Sequence, residues 1–112
     1  MQQLTELTNE ANQEHIVKVI TGELFTLQLF YLHRNESWQA NIIYNDNTIN
    51  GIKINQSINI LRQYKNILPF GIACYSDYNT DPFLLEDFSQ NNYFLGILTA
   101  DEVIEAERQI AL

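Results

Sequence analysis

The stretch LFTLQLFYL at residues 24–32 decides the fold, together with WQANIIY at residues 38–44. Large apolar side chains recur at every second position of both runs, which is the period of a strand that buries one of its faces. The segment between them, residues 33–37, is polar and has the length of a hairpin connection. These two runs therefore predict a pair of adjacent antiparallel strands.

Similar short runs lie on both sides of this pair. We predict further strands at residues 15–20, 49–55, 70–75 and 93–98, because turn-forming residues bound each run. The expected fold is mainly β (α+β by content). It is a small antiparallel β-barrel or sandwich of about six strands, with one short central helix and a C-terminal helix.

The central helix is predicted from a change of period after residue 57. Ser57 has the side chain of a helix cap, and Pro69 forbids continuation of the helix. The apolar positions between them fall on one helical face; they are Ile60, Leu61, Tyr64, Ile67 and Leu68.

The C-terminal helix is predicted from a capping box. Thr99 stands three positions before Glu102, and this spacing lets each side chain bond the other's backbone N–H. An acidic helix over about residues 100–111 follows, with an apolar stripe of Val103, Ala106 and Ile110.

Length and charge limit the class of protein. The 112 residues are enough for a single domain, 1–112, and the net charge is −8. Such a charge argues against specific binding of nucleic acid and against docking on an anionic membrane. The chain has no apolar run long enough for a membrane span and no secretory signal at its start, so we expect synthesis in the cytoplasm of a host cell.

The sequence offers little for catalysis or for metal binding. Cys74 is the single cysteine and lies in an apolar run, where a thiol behaves as a small hydrophobe. His15 and His33 are the two imidazoles, and both fall at the edges of predicted strands. The turns at residues 46–51 and 77–82 have part of the oxygen spacing of a calcium loop but lack its glutamate at position 12. We predict no enzyme, no cofactor and no metal.

The segment DPFLLEDF at residues 81–88 places large apolar side chains outside any predicted strand. One interpretation is a satellite cluster that folds back over the core. The other is an exposed patch that is covered by a neighbouring subunit, to which the C-terminal stripe would contribute. On the second interpretation the candidate subunit-interface residues are Phe83, Leu84, Leu85, Phe88, Val103, Ala106 and Ile110.

The order of these landmarks resembles the baseplate plug proteins of contractile-tailed phages, a family known from a cyanophage baseplate. The resemblance covers about residues 13–98 and rests on a pattern of apolar positions with a few anchors. The anchors are His15–Ile20, Phe25–Tyr31, Ser37-Trp38, Gly51–Ile54, Asn59–Leu61, Tyr64, Phe70–Tyr75 and Asp87-Phe88. Two departures are Ser89, where the family tends to have glycine, and the acidic helix after Thr99.

The resemblance implies a non-enzymatic component of the virion, located in the tail baseplate. Such a protein sits at the central hub between the tail tube and the spike, in several symmetric copies, as a plug or connector. Its partners would be hub, spike and tail-tube subunits, together with further copies of itself in a homo-oligomer.

The alternative is a small acidic phage-encoded inhibitor that mimics the charge of DNA. Mimicry requires carboxylates spread along one face, whereas the acidic residues of this chain concentrate in residues 1–23 and 77–112. Competition with DNA for a nuclease, or ring formation with tail proteins, would separate the two hypotheses.

Overall fold

The computed structural model describes residues 1–111, which form strands, one short 3₁₀ helix and one α-helix. The strands are β1 (Gln2–Gln3), β2 (Asn12–Lys18), β3 (Leu24–Leu32), β4 (Ser37–Tyr44), β5 (Asn47–Lys53), β6 (Phe70–Tyr75) and β7 (Phe94–Thr99). The 3₁₀ helix spans Arg62–Tyr64, and α1 spans Ala100–Ala111. The six predicted strands are all present; β1, a strand of 2 residues, was not predicted.

The strands form two antiparallel sheets. One has 4 strands in the order β2-β3-β4-β5, a meander that contains the predicted antiparallel pair, and the other has 3 strands in the order β1-β7-β6. In the larger sheet Leu27 lies opposite both His15 and Ile42. The sheets do not close into a barrel, so the sandwich is the correct form of the predicted fold.

The core lies between the two sheets and follows from the alternation of the strands. Phe25, Leu27 and Leu29 of β3 are buried, and the residues between them are half-exposed. Phe25 stacks on Phe70 of the smaller sheet, with ring centroids 4.1 Å apart and an interplanar angle of 10°. Because apolar area removed from water is the main favourable term in folding, this interlayer contact holds the sandwich together.

Two tight turns set the register of the larger sheet. Between β2 and β3, Val19 N–H donates to Glu23 O, and Gly22 has a φ of 113°, which favours glycine. Between β4 and β5, Asn45 has a φ of 52°, and asparagine tolerates this conformation better than most residues. The predicted turn residues therefore fix which side chains face the core.

The central segment is only partly helical. Ser57 exchanges two backbone hydrogen bonds with Cys74, each 3.0 Å long, so Ser57 extends the smaller sheet and does not cap a helix. The Oδ1 atom of buried Asn59 accepts the N–H groups of Leu61 and Ile72, at 3.0 and 3.1 Å. The prediction of a short central helix is confirmed only for Arg62–Tyr64, and its predicted beginning near residue 57 is wrong.

The predicted capping box of α1 is confirmed. Thr99 N–H donates to Glu102 Oε1 at 3.0 Å, and Glu102 N–H donates to Thr99 Oγ1 at 3.2 Å. The helix packs against β6 and β7, with Val103 and Ala106 buried. Among residues 1–111, no helix combines the length and the apolar character needed to cross a membrane.

Candidate subunit interface

The long connection between β6 and β7, residues 76–93, contains the predicted apolar segment and is organised by one carboxylate. Asp87 is 2% exposed, and its Oδ2 accepts the backbone N–H groups of Phe83 and Leu84, both at 2.8 Å. Its backbone carbonyl accepts the N–H of Asn92 at 2.9 Å. Because short bonds to a carboxylate are strong, Asp87 fixes the path of the segment from within the loop.

The larger sheet holds the same segment from the other side. Trp38 Nε1–H donates to Leu84 O at 3.0 Å, and Tyr31 O–H donates to Phe83 O at 2.6 Å. Phe88 is buried and meets Trp38 edge to face, with ring centroids 5.3 Å apart. The segment is therefore attached to the core at several points.

The structure divides the predicted interface residues into two groups. Phe88, Val103 and Ala106 are buried in the chain itself, and Leu85 is half-buried against the core. The exposed members are Phe83 at 42%, Leu84 at 40% and Ile110 at 39%. The satellite-cluster interpretation therefore describes Phe88 and Leu85, and the exposed-patch interpretation describes Phe83 and Leu84.

The exposed loop residues Phe83 and Leu84 are not adjacent in the fold to Ile110, the exposed residue of α1. The loop leads into β7 at Phe94, and α1 begins after Thr99, at the opposite end of the same strand. We call the exposed pair Phe83 and Leu84 the loop patch. Within residues 77–93 the charged side chains are all acidic: Asp77, Asp81, Glu86 and Asp87.

Sequence reasoning missed a second apolar surface. Ile16 is 77% exposed, Ile20 82% and Leu24 56%, and we call these three residues the aliphatic patch. Ile16 and Leu24 lie on the outer face of the larger sheet, where Ile16 is opposite Thr26 and Leu24 is opposite Lys18. One signal was available in the sequence: Ile16 and Val17 are adjacent, so both faces of a strand here must carry an apolar residue.

A third apolar surface lies beside α1. An open groove of about 580 Å³ separates the helix from residues 65–69, and its apolar lining includes Pro69 and Ile104. Glu107 spans this region: its Oε1 is 2.9 Å from Arg62 Nε and its Oε2 is 3.2 Å from Lys65 Nζ. Hydrogen bonding to Arg62, reinforced by Lys65, lowers the pKa of the Glu107 carboxyl.

The candidate reactive groups are not brought together. Burial raises the pKa of the Cys74 thiol to about 12, and the negative charge of Asp81 adds to this effect. A thiol in this state is not a nucleophile at neutral pH. His15 Nε2 is 2.8 Å from Gln13 Oε1, and His33 meets the ring of Tyr31 edge to face. Among residues 1–111, no cluster of three or more histidine, cysteine or acidic side chains has the geometry to hold a metal ion.

Fold and surface together define a small mainly β module of two antiparallel sheets, with large apolar side chains left in solvent at several places. A family model described as "Cyanophage baseplate Pam3 plug gp18" matches residues 1–100. The chain belongs to this baseplate plug family, a family of structural components of the phage tail baseplate. The match ends where α1 begins, and a comparison with curated proteins gives no match.

Proposed function

We propose that the chain is the plug or connector at the central hub of a tail baseplate, between the tail tube and the spike. Membership of the baseplate plug family is the observation that carries this proposal. The proposed partners are hub, spike and tail-tube subunits, contacted through apolar surface and strand edges, with several symmetric copies of the chain in the assembly.

The loop patch is the proposed contact with a hub, spike or tube subunit. Phe83 and Leu84 are exposed, yet Asp87, Trp38 and Tyr31 hold their backbone in place. An apolar surface that is ordered before binding loses little conformational entropy on association, which favours affinity. Large exposed apolar side chains within a polar rim are typical of protein–protein contacts.

The rim of the loop patch predicts the charge of its partner. Asp77 and Asp81 are exposed and Glu86 is half-exposed, and residues 77–93 contain no lysine or arginine. We therefore expect a partner surface that combines apolar side chains with lysine or arginine, because unlike charges around an apolar centre fix orientation and speed up association.

The outer face of the larger sheet does not have the surface that the DNA-mimic alternative requires. Across the middle of the outer face of the larger sheet, Glu14, Gln28 and Asn41 form a ladder of side-chain hydrogen bonds of 2.9 and 3.2 Å. Two of these three side chains are neutral amides. A mimic of DNA needs rows of carboxylates, so this face favours a structural role.

Co-expression of the full chain with candidate hub, spike and tube subunits, followed by co-purification, tests the proposal. We expect a stable complex, and we expect the double variant Phe83→Ser/Leu84→Ser to weaken it at least about tenfold, since buried anchors dominate such contacts. The control Ile58→Ser changes an exposed side chain outside the three apolar surfaces, 39% accessible, and leaves the complex intact. Failure of the chain to join any of these subunits would contradict the proposal.

A further inference from the structure

The outer edge of β2 is a regular strand edge whose backbone polar groups remain largely unpaired. On its inner side the strand pairs with β3 over all seven residues, Asn12–Lys18, without a bulge. Tyr31 N–H donates to Ala11 O at 2.7 Å, and Val19 N–H donates to Glu23 O at 2.8 Å. Odd-numbered residues therefore bond β3, and the N–H and C=O groups of even-numbered residues point away from it.

Within residues 1–111, the hydrogen bond that reaches this edge comes from a single side chain. Gln2 Nε2 donates to Lys18 O at 3.2 Å. The outward groups of Asn12, Glu14 and Ile16 receive no bond from the described part of the chain. Such an edge is a template for another strand.

The side chains along this edge are complementary to themselves. If two copies of β2 run antiparallel with Ile16 opposite Ile16 of the second copy, then Glu14 lies opposite Lys18 of that copy, and Lys18 lies opposite its Glu14. All three residues are even-numbered, so each pair is of the kind that exchanges two N–H···O bonds. Glu14, Ile16 and Lys18 are also all exposed on the outer face.

The same register gives the aliphatic patch a role. Ile16 would contact its own counterpart across the two-fold axis, while Leu24 of each copy stays one strand further out, opposite Lys18. The pairing would remove from water a side chain, Ile16, that is 77% exposed in the single chain.

The opposite edge of the larger sheet, formed by β5, is not a regular edge that a second strand could join. The pairing of β5 with β4 shifts register between Ala40 and Ile42, and Gly51 has a φ of 71° at the irregularity. A bulge twists an edge away from further pairing and is a common protection of edge strands. The two edges are therefore unequal, and the regular edge is the one with self-complementary charges.

We propose that two copies of the chain pair through their β2 edges, antiparallel about a two-fold axis at Ile16, and so join their larger sheets into one. Residues 2–7 share a cleft with residues 15–18 of this edge, so this pairing requires them to move aside and the Gln2 amide to release Lys18 O. This inference depends on the proposed function only in that both require several copies, and it locates the contact between them.

Sedimentation equilibrium of the full chain, from about 1 µM to about 1 mM, tests this contact. We expect a monomer–dimer equilibrium. Glu14→Lys alone and Lys18→Glu alone place like charges opposite each other twice in the dimer and raise its Kd about tenfold each. The double variant Glu14→Lys/Lys18→Glu restores both unlike pairs, so its Kd returns to within about threefold of the original. Lys53→Glu on the other edge is the control and leaves Kd unchanged.

Ile16→Pro provides a second, backbone-level test. The Ile16 N–H faces away from β3, so proline there removes an outward donor without removing a bond of the β2–β3 ladder, and dimerisation is lost. Circular dichroism of each variant checks that the sheet is intact. The charge-swap series decides the question if Ile16→Pro does not fold.

A monomer at all concentrations, or a dimer insensitive to these substitutions, would overturn the inference. So would single variants that the double variant does not rescue. If Ile16→Pro abolished hub binding while the free chain stayed monomeric, the edge would belong to a different subunit. Absence of the dimer with hub binding intact would contradict this inference alone. A dimer without hub binding would contradict the proposed function alone.

Discussion

Asp87 shows how one residue can turn an apolar loop into a defined surface. Its side chain is buried and accepts two backbone N–H groups at 2.8 Å, from the two residues that point outward, Phe83 and Leu84. The adjacent Phe88 points inward against Trp38. The Asp87-Phe88 pair therefore fixes both sides of the loop.

Replacing Asp87 tests this role. Asp87→Ala leaves the N–H groups of Phe83 and Leu84 without their acceptor, and we expect the free energy of unfolding to fall by about 2 kcal/mol. Urea denaturation measures the change. Asp77→Ala, an exposed acid of the same loop, is the matched control and stays within about 0.5 kcal/mol of the parent chain. Equal effects of the two substitutions would refute the assigned role.

Sequence reasoning identified this loop but could not predict which of its apolar side chains are buried and which are exposed. Its residues follow neither a helical nor a strand period, so no pattern tells Phe83 from Phe88. Which side chains are buried depends on hydrogen bonds from Trp38 to Leu84 and from Tyr31 to Phe83, whose partners lie 46 and 52 positions apart in the chain. Contacts of such separation are set by the tertiary fold, which the local sequence does not encode.

At the scale of elements, α1 is tied to the sandwich by apolar burial and by an ionic bridge. Val103 is 7% exposed and Ile104, the next residue, is 54% exposed, so the helix has one face on the sheet and one in solvent. Glu107 bridges Arg62 and Lys65 of the central segment. An isolated helix of this length is marginal in water, so these contacts are what stabilise it.

Neighbouring positions on α1 give a direct test of its docking. Val103→Ala removes buried methyl groups and is expected to lower the free energy of unfolding by about 2 kcal/mol. Ile104→Ala, on the exposed side, is expected to change it by less than about 0.5 kcal/mol. Thermal or urea unfolding of both variants provides the comparison, and a larger loss from Ile104→Ala would mean that the helix docks by another face.

The bridge at Glu107 predicts a pH dependence. Its pKa is lower in the folded chain than in the unfolded chain, so its contribution is complete above the unfolded value, about 4.3, and is lost as the pH falls through the folded value. The Tm of Glu107→Gln should therefore lie below that of the parent chain at pH 7, and the difference should shrink as the pH is lowered below about 4.3.

Glu6→Gln, at an exposed position, controls for the change of net charge in that experiment. Added salt should also reduce the difference at pH 7, because both partners of the bridge are accessible to solvent. A Tm difference that did not shrink as the pH was lowered through the acid range would exclude the ionic origin.

The sequence predicts some elements better than others, for physical reasons. The strands of the meander and the capping box of α1 depend on local period and on neighbours three positions apart, and both predictions are confirmed. The segment from Ser57 has a helical period, but its N–H and C=O groups are used by Cys74 and Ile72 of β6. Tertiary pairing with a strand edge overrides a local preference of this size.

At the scale of the whole molecule, the apolar surfaces are distributed unevenly. The loop patch leads into β7 at Phe94, the groove beside α1 follows that strand at Thr99, and the aliphatic patch lies on the outer face of the larger sheet. A component that fits between several subunits needs contacts on more than one side. The family, the fold and these surfaces therefore support a single account, in which the chain functions by being packed into a larger assembly.

A reconstruction of the intact tail by cryo-electron microscopy, at a resolution that traces side chains, tests this account most directly. The account predicts copies of the two-sheet sandwich around the tail axis, between the tube and the spike, with Phe83 and Leu84 covered by a neighbouring subunit that presents lysine or arginine to Asp77 and Asp81. A hub position filled by another protein, or a chain found there with these two side chains still in solvent, would contradict it.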